Sequence, residues 1–170
     1  MANYLTVNEN YSSFNTPLAK SEKNDCFVRA LAIAADVNYT AAHNVAKEVF
    51  GRPDKKGTCG VLITAVLLRA EEAGLQIGRK HVKMSLLGKK DLKNKYKVKG
   101  DIIWRQKTLK SFMQSHPKGS FVVTVANHAV AVINGELEDW SSNAFQPTRK
   151  VLSAYKIEPI TKVTQLRLFE

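Results

Sequence analysis

Asn134 and Gly135 separate HAVAVI (128–133) from ELEDW (136–140), and no other dipeptide in the chain restricts its folding as tightly. Asn-Gly accepts the positive φ angles of a two-residue turn whose twist matches that of paired strands, so the two runs are expected to close a hairpin. The turn then sets the register. Ile133 opposes Glu136, Val132 opposes Leu137, Val130 opposes Asp139 and His128 opposes Ser141. Directly opposed residues share a face, as do residues two apart on one strand. His128 and Asp139 become diagonal neighbours on one face, about 7 Å apart at their bases and within reach of a hydrogen bond. A slip of one residue would part them.

Other short runs rich in β-branched and aromatic residues surround this hairpin: SFVVTV (120–125), KVLSAYKI (150–157) and TKVTQLRLF (161–169). Turn signals lie between them, the pattern of short antiparallel strands. The first half reads differently. Phe27, Ala30, Leu31 and Ala34 have the one-face spacing of an amphipathic helix starting near Cys26, capped by Asn24 or Asp25, or by Ser21 if it begins earlier. A second helix is expected over Thr40–Phe50, with Thr40 as cap and Gly51 past its end. A third is expected over Thr58–Ala73, stopping at Gly74. GLQIG (74–78) reads as a short strand, YKVKGDIIW (96–104) holds another, and Thr108 caps a short helix ended by Pro117 and Gly119. Helices first and an antiparallel sheet second make the class α+β, in a single domain spanning 1–170.

The net charge of +11 is concentrated. Between Arg79 and Lys110 twelve basic residues face only Asp91 and Asp101. Such a segment suits a surface that meets nucleic acid or an acidic protein, with Lys89, Lys90, Lys93 and Lys95 at its centre, and it equally suits a solvated insertion. Tyr96 and Trp104 are its only aromatics. Cys26 and Cys59 are too few for a disulfide framework, and the first fifteen residues lack the basic-then-apolar order of a secretory signal. No apolar run approaches the roughly 18 residues of a membrane span. A cytoplasmic protein with free thiols and no cofactor is the expectation.

Cys26 lies in NDCFVRAL (24–31), at the start of its helix. An ordinary cysteine thiol titrates near 8.5. A helix N-terminus and a neighbouring imidazole both stabilise the thiolate and lower that value by several units. The order is then cysteine on the first long helix, histidine on a later strand and a carboxylate on the next. This arrangement resembles the papain-like cysteine peptidase superfamily, in which a helix bearing the nucleophile packs on a sheet bearing histidine and then Asn or Asp. NDCFVRAL is similar to the DGNCLFRAL type of motif in ovarian-tumour deubiquitinases. GSFVVTVANHAVAVINGELEDW (119–140) resembles the histidine hairpin of small papain-like proteins, bacteriophage-encoded ones among them.

The resemblance covers about a fifth of the chain and implies a papain-like fold and a thiol peptidase, isopeptidase or related acyl-transfer activity on a protein or peptide. Cys26 matches the nucleophile, His128 the general base and acid, and Asp139 the residue that orients the imidazole, with Trp140 shielding that contact. A viral member would act in the host cytoplasm or the virion. Many papain-like enzymes carry an oxyanion glutamine six residues before the cysteine; here Lys20 stands there, and Asn24 is the substitute. Ovarian-tumour enzymes keep their histidine nearer the C-terminus, so ubiquitin specificity is not implied.

Each residue also has a plainer role. Cys26 suits a small apolar core position, His128 a satisfied histidine at a strand start, and Asp139 a surface charge beside a turn. Cys59 reads as core, His43 and His116 as surface or helix-end residues, and His81 as part of the basic segment. A zinc site drawn from Cys26, Cys59, His43 and His128 lacks the paired short spacing such sites show, so no metal is expected. Against the hydrolase stands a protein of another class: a papain-like scaffold without catalysis, binding nucleic acid or an acidic partner through residues 79–110.

Overall fold

The computed structural model describes residues 14–69, 74–138 and 147–160. In chain order these form α1 (Pro17–Ser21), α2 (Cys26–Ala35), α3 (Tyr39–Glu48), α4 (Gly60–Arg69), β1 (Gly74–Ile77), β2 (Lys80–Leu86), β3 (Lys93–Val98), β4 (Asp101–Gln106), α5 (Leu109–Ser115), β5 (Ser120–Val125), β6 (His128–Ile133), β7 (Glu136–Glu138) and β8 (Ser153–Pro159). The class is α+β. Six strands make one antiparallel sheet in the order β1-β2-β8-β5-β6-β7, and β3 and β4 pair separately as a two-stranded ribbon.

The β6–β7 hairpin has the register that its turn requires: Ile133 pairs with Glu136, Val132 with Leu137 and Ala131 with Glu138. Asn134 and Gly135 both take positive φ, 49° and 76°, as a type I′ turn demands. Asn134 also accepts the Gly119 N–H through Oδ1 at 3.0 Å. A Cβ on Gly135 would stand 3.2 Å from the Met113 carbonyl and from Pro117 Cα, so only glycine lets this turn lie against the end of α5.

Alternation along β6 divides the core in two. Ala129 and Ala131 face the layer of α2, α3 and α4, together with Val122, Tyr155 and Ile157. Val130 and Val132 face α5, meeting Leu109, Phe112, Phe121 and Val123. The alanines let α2 lie close on the sheet. Helix α2 is buried nearly all round, with Phe27, Val28 and every residue from Ala30 to Ala35 inside. The amphipathic pattern expected for it is thus too narrow, because α3 covers the side opposite the sheet.

Several expectations shift. Helix α3 begins two residues early, capped by Asn38, whose Oδ1 accepts the Ala41 N–H at 2.8 Å, rather than by Thr40. Helix α4 is not a core helix throughout. Ile63 and Leu67 are buried while Val61, Leu62 and Leu68 are exposed, and the helix as expected ran on into residues 70–73, outside the described set. Part of the basic segment belongs to the central sheet as β2, where Val82 and Met84 supply buried positions between exposed or half-buried polar ones. Lys80 Nζ ties that strand to the end of α2, bonding the Asp36 carbonyl at 2.6 Å and carboxylate at 2.9 Å. Lys107, grouped by sequence with the solvated lysines, is buried and donates to Ser115 Oγ at 2.9 Å, and burial lowers its pKa against the opposing pull of Asp91. The strand expected at 161–169 lies outside the described residues.

One buried ionic cluster holds the chain before α2. Arg52 Nη2 donates to Glu22 Oε2 at 2.9 Å and to the Lys23 carbonyl at 3.0 Å, while His43 Nε2 lies 3.2 Å from Glu22 Oε1. His43 is therefore buried, not at the surface as its sequence context suggested, because Tyr39 stacks beside it and Glu22 offers a partner. Burial works to raise the Glu22 pKa, but the Arg52 and His43 contacts prevail and the net shift is downward. A carboxylate with a depressed folded pKa stabilises the fold above its unfolded value and loses that contribution as pH falls through the folded one. Glu22→Ala is expected to cost about 3 kcal/mol in urea unfolding at neutral pH, since it strands the Arg52 charge. The parent chain is expected to lose stability below about pH 4.5, and Glu22→Gln to flatten that loss, read by urea unfolding against pH.

Candidate active site

The segment entering α2 owes its shape to two carboxylates. Glu22 is fixed by Arg52 and His43, as above. Asp25 occupies the N-cap position of α2 yet makes no capping bond. Its Oδ2 instead accepts from the Tyr39 hydroxyl at 2.6 Å and from Arg29 Nε at 3.0 Å. The Arg29 guanidinium in turn lies over the rings of Phe14 and Tyr39 at 5.4 and 5.5 Å. Burial, followed by the Asp25 contact, raises the Tyr39 pKa, so the phenol stays protonated as the donor. Between these anchors Asn24 takes a positive φ of 53°, which turns the chain sharply into the helix.

Cys26 is consequently the first residue of a helix whose leading N–H groups have no side-chain cap. Its half-buried thiol lines the same recess as the His128 imidazole and Ala129. Burial pushes the thiol pKa up, but the hydrogen bond and positive charge of His128, with the backbone amides of Ala129 and Phe27, outweigh it, and the net shift is downward. His128 opens β6 immediately after Asn127, which has φ 58° in the β5–β6 turn. Alternation assigns the His128 position to the α5 side with Val130 and Val132, and at the strand end His128 shares the lining of two recesses with Cys26.

Two recesses flank the thiol. The smaller, about 250 Å³, runs along α2 past Ala30 and Ile33 and is closed by Glu138. The larger, about 490 Å³, opens toward Gly57, Thr58, Ile63 and Leu152. Asn24, Cys26, Asn127, His128 and Ala129 line both, so the thiol–imidazole pair stands where they meet. Asn24, the expected oxyanion donor, lines both recesses beside Cys26. Asp139 and Trp140 lie outside the described residues. Glu138 and Asn127 are polar lining residues to which the sequence assigned no role. Glu138 pairs with Ala131 and so belongs to the α2-facing side, a conclusion already implicit in the register. Asn127 was signalled by its place between two strand-forming runs.

The remaining candidates separate from this site. Cys59 is exposed ahead of α4, not in the core, because the apolar start of that helix faces outward. His116 caps the C-terminal end of α5 and stacks on Phe112 at 4.1 Å between centroids. His81 is exposed on β2. Lys89 and Lys90 lie in the turn before β3, and Lys93 and Lys95 on β3 itself, all exposed. Among the described residues no group of three His, Cys, Asp or Glu side chains is placed to hold a metal ion, and no helix is long and apolar enough to cross a membrane.

No family model, curated protein or solved structure matches this chain. What the site can do therefore follows from its chemistry. A depressed thiol pKa means that the thiolate, the nucleophilic form, persists below the ordinary titration range. In a Cys59→Ser background, the midpoint of iodoacetamide alkylation of Cys26 against pH is expected to lie below the ordinary 8.5. His128→Ala is expected to move the alkylation midpoint upward, read by intact mass against pH.

Proposed function

We propose that the chain is a cysteine-dependent acyl hydrolase of papain-like design, cleaving an amide, isopeptide or thioester bond in a protein or peptide. The observation that carries this reading is the Cys26 thiol at the uncapped start of α2, sharing with His128 the lining of two open recesses. A buried structural cysteine needs neither a charged partner nor access on both sides.

In this reading Cys26 and His128 rest as a thiolate–imidazolium pair. The sulfur attacks the carbonyl carbon, and the oxyanion takes hydrogen bonds from the Asn24 amide and the Cys26 backbone N–H. His128 gives its proton to the departing amine or thiol as the tetrahedral centre collapses to an acyl-cysteine. Water, deprotonated by His128, then attacks the acyl-cysteine, and collapse releases the acid and restores the thiolate–imidazolium pair. The two recesses suit this sequence, one for the acyl side of the substrate and one for its leaving group. An acidic side chain completes the design by orienting His128. Asp139 is the residue that the resemblance assigns to that role, and Glu138 already borders the same recess.

The test is acyl transfer to Cys26. Incubated with a small aryl thioester, the Cys59→Ser protein is expected to show a transient mass increase of one acyl group, mapped by peptide digestion to Cys26, with steady thiol release. Cys26→Ala is expected to abolish both, and His128→Ala to slow acylation by roughly a hundredfold or more, the usual scale of a general acid–base group. Acylation of Cys59 in the parent chain, or a Cys26 that reacts no faster than free cysteine whether or not His128 is present, would overturn the assignment.

A further inference from the structure

The β3–β4 ribbon has a chemistry separate from the cleft. Its strands are joined by Lys99 and Gly100, both at positive φ (49° and 87°), the same two-residue turn as at Asn134 and Gly135. Its register places Lys93 opposite Gln106, Lys95 opposite Trp104 and Lys97 opposite Ile102. These six residues share one face, and the ribbon's sole carboxylate, Asp101, pairs with Val98 on the other.

That face is therefore two parallel rows. Three lysines run along β3 at a step of roughly 6.6 Å, the distance between residues two apart on a strand. Beside them on β4 run Ile102 and Trp104, 56% and 50% exposed. Lys95 Nζ lies 5.9 Å from the Trp104 ring centre, so cation and ring form one surface. A solvated ribbon has no use for an exposed tryptophan next to an exposed isoleucine. An acidic protein would satisfy the lysines and leave the apolar row idle. A nucleic acid duplex keeps its base faces stacked inside.

We propose that this face of the β3–β4 ribbon binds single-stranded nucleic acid, with phosphates along Lys93, Lys95 and Lys97 and a base stacked on Trp104. An extended single strand presents charge on one side and flat apolar bases on the other, at a phosphate spacing comparable to the lysine step. This two-row pattern matches the combination of basic track and aromatic platform that sequence-tolerant single-strand binders use. Lys89 and Lys90, in the turn leading to β3, extend the basic track.

The probe is fluorescein-labelled (dT)12, with binding read by anisotropy across a salt series. Three phosphate contacts predict a log–log salt slope of about −2, at about −0.7 per contact for a single strand, and so a loss of roughly twentyfold between 50 and 200 mM salt. The triple variant Lys93→Gln, Lys95→Gln, Lys97→Gln is expected to remove that slope with most of the affinity. Trp104→Ala is expected to weaken binding at least about fivefold with the slope unchanged. Tyr96→Ala, on the opposite face, is expected to have no effect. Circular dichroism melting of each variant reports folding, and if the triple variant melts early the three single lysine variants replace it.

Binding that is insensitive to the lysine and Trp104 changes would overturn the proposal. So would equal affinity for a twelve-base-pair duplex, which would assign the ribbon to backbone charge alone, or tighter binding of a poly-glutamate peptide of matched charge, which would assign it to an acidic protein.

Discussion

The site depends on a carboxylate that does not do what its position suggests. An aspartate at the N-cap of a helix ordinarily accepts the free N–H groups of the first turn, a contact worth about 1 kcal/mol. Asp25 turns away to Arg29 and to Tyr39, which ties the start of α2 to α3, and leaves the first-turn amides without a side-chain cap. With Glu22 held by Arg52 three residues earlier, the approach to Cys26 is clamped on both sides. The helix gives up a cap, and the Cys26 thiol stands at its N-terminus, where the positive end of the dipole favours the ionised form.

Placing that thiol beside an imidazole is a packing problem, solved by small side chains. Ala129 and Ala131 on β6 remove the bulk that would hold α2 away from the sheet, and β5 and β6 are long enough to carry His128 to the level of the first helical turn. The large residues of β6, Val130 and Val132, are kept for the α5 side. Insertion of β8 between β2 and β5 completes the sheet across the molecule, and its Tyr155 is fully buried against the α2 layer. Binding volume on both sides of the thiol follows from where the helices stop: α2 leaves one recess along its flank, and the loop before α4 leaves the other.

How much of this was legible follows from how local each signal is. The β6–β7 register is dictated by two residues, Asn134 and Gly135, and the Thr108 cap by one, so both are readable. The proximity of Cys26 and His128 was inferable from chain order through a family resemblance, but no local pattern contains it. The full burial of α2, the burial of His43 and Lys107, and the exposure of Cys59 depend on which elements cover which faces. Strand β2 was hidden because its lysines and histidine alternate with Val82 and Met84 in a segment whose charge dominates its composition. Glu138 was overlooked for a subtler reason: attention to the face of His128 selected Asp139, whereas the face that looks at α2 is that of Ala131 and Glu138.

The charge of the chain and the chemistry of its thiol are physically distinct. Screening limits the reach of an exposed charge to about 8 Å at physiological salt. The groups that lower the Cys26 pKa are His128 and two backbone amides, with no lysine among them. The pKa of the thiol is set by close, partly buried groups, whereas the lysines of the ribbon are solvent-exposed, so added salt screens the lysines far more. The two surfaces nevertheless share a short strap of chain. Val151 gives its carbonyl to Gln106 at the foot of the ribbon and its N–H to the Lys107 carbonyl at 2.9 Å, while the next residue, Leu152, lines the larger recess. A ligand along the ribbon and a substrate at the thiol would rest on neighbouring residues of one strap, yet be held by forces that ionic strength separates.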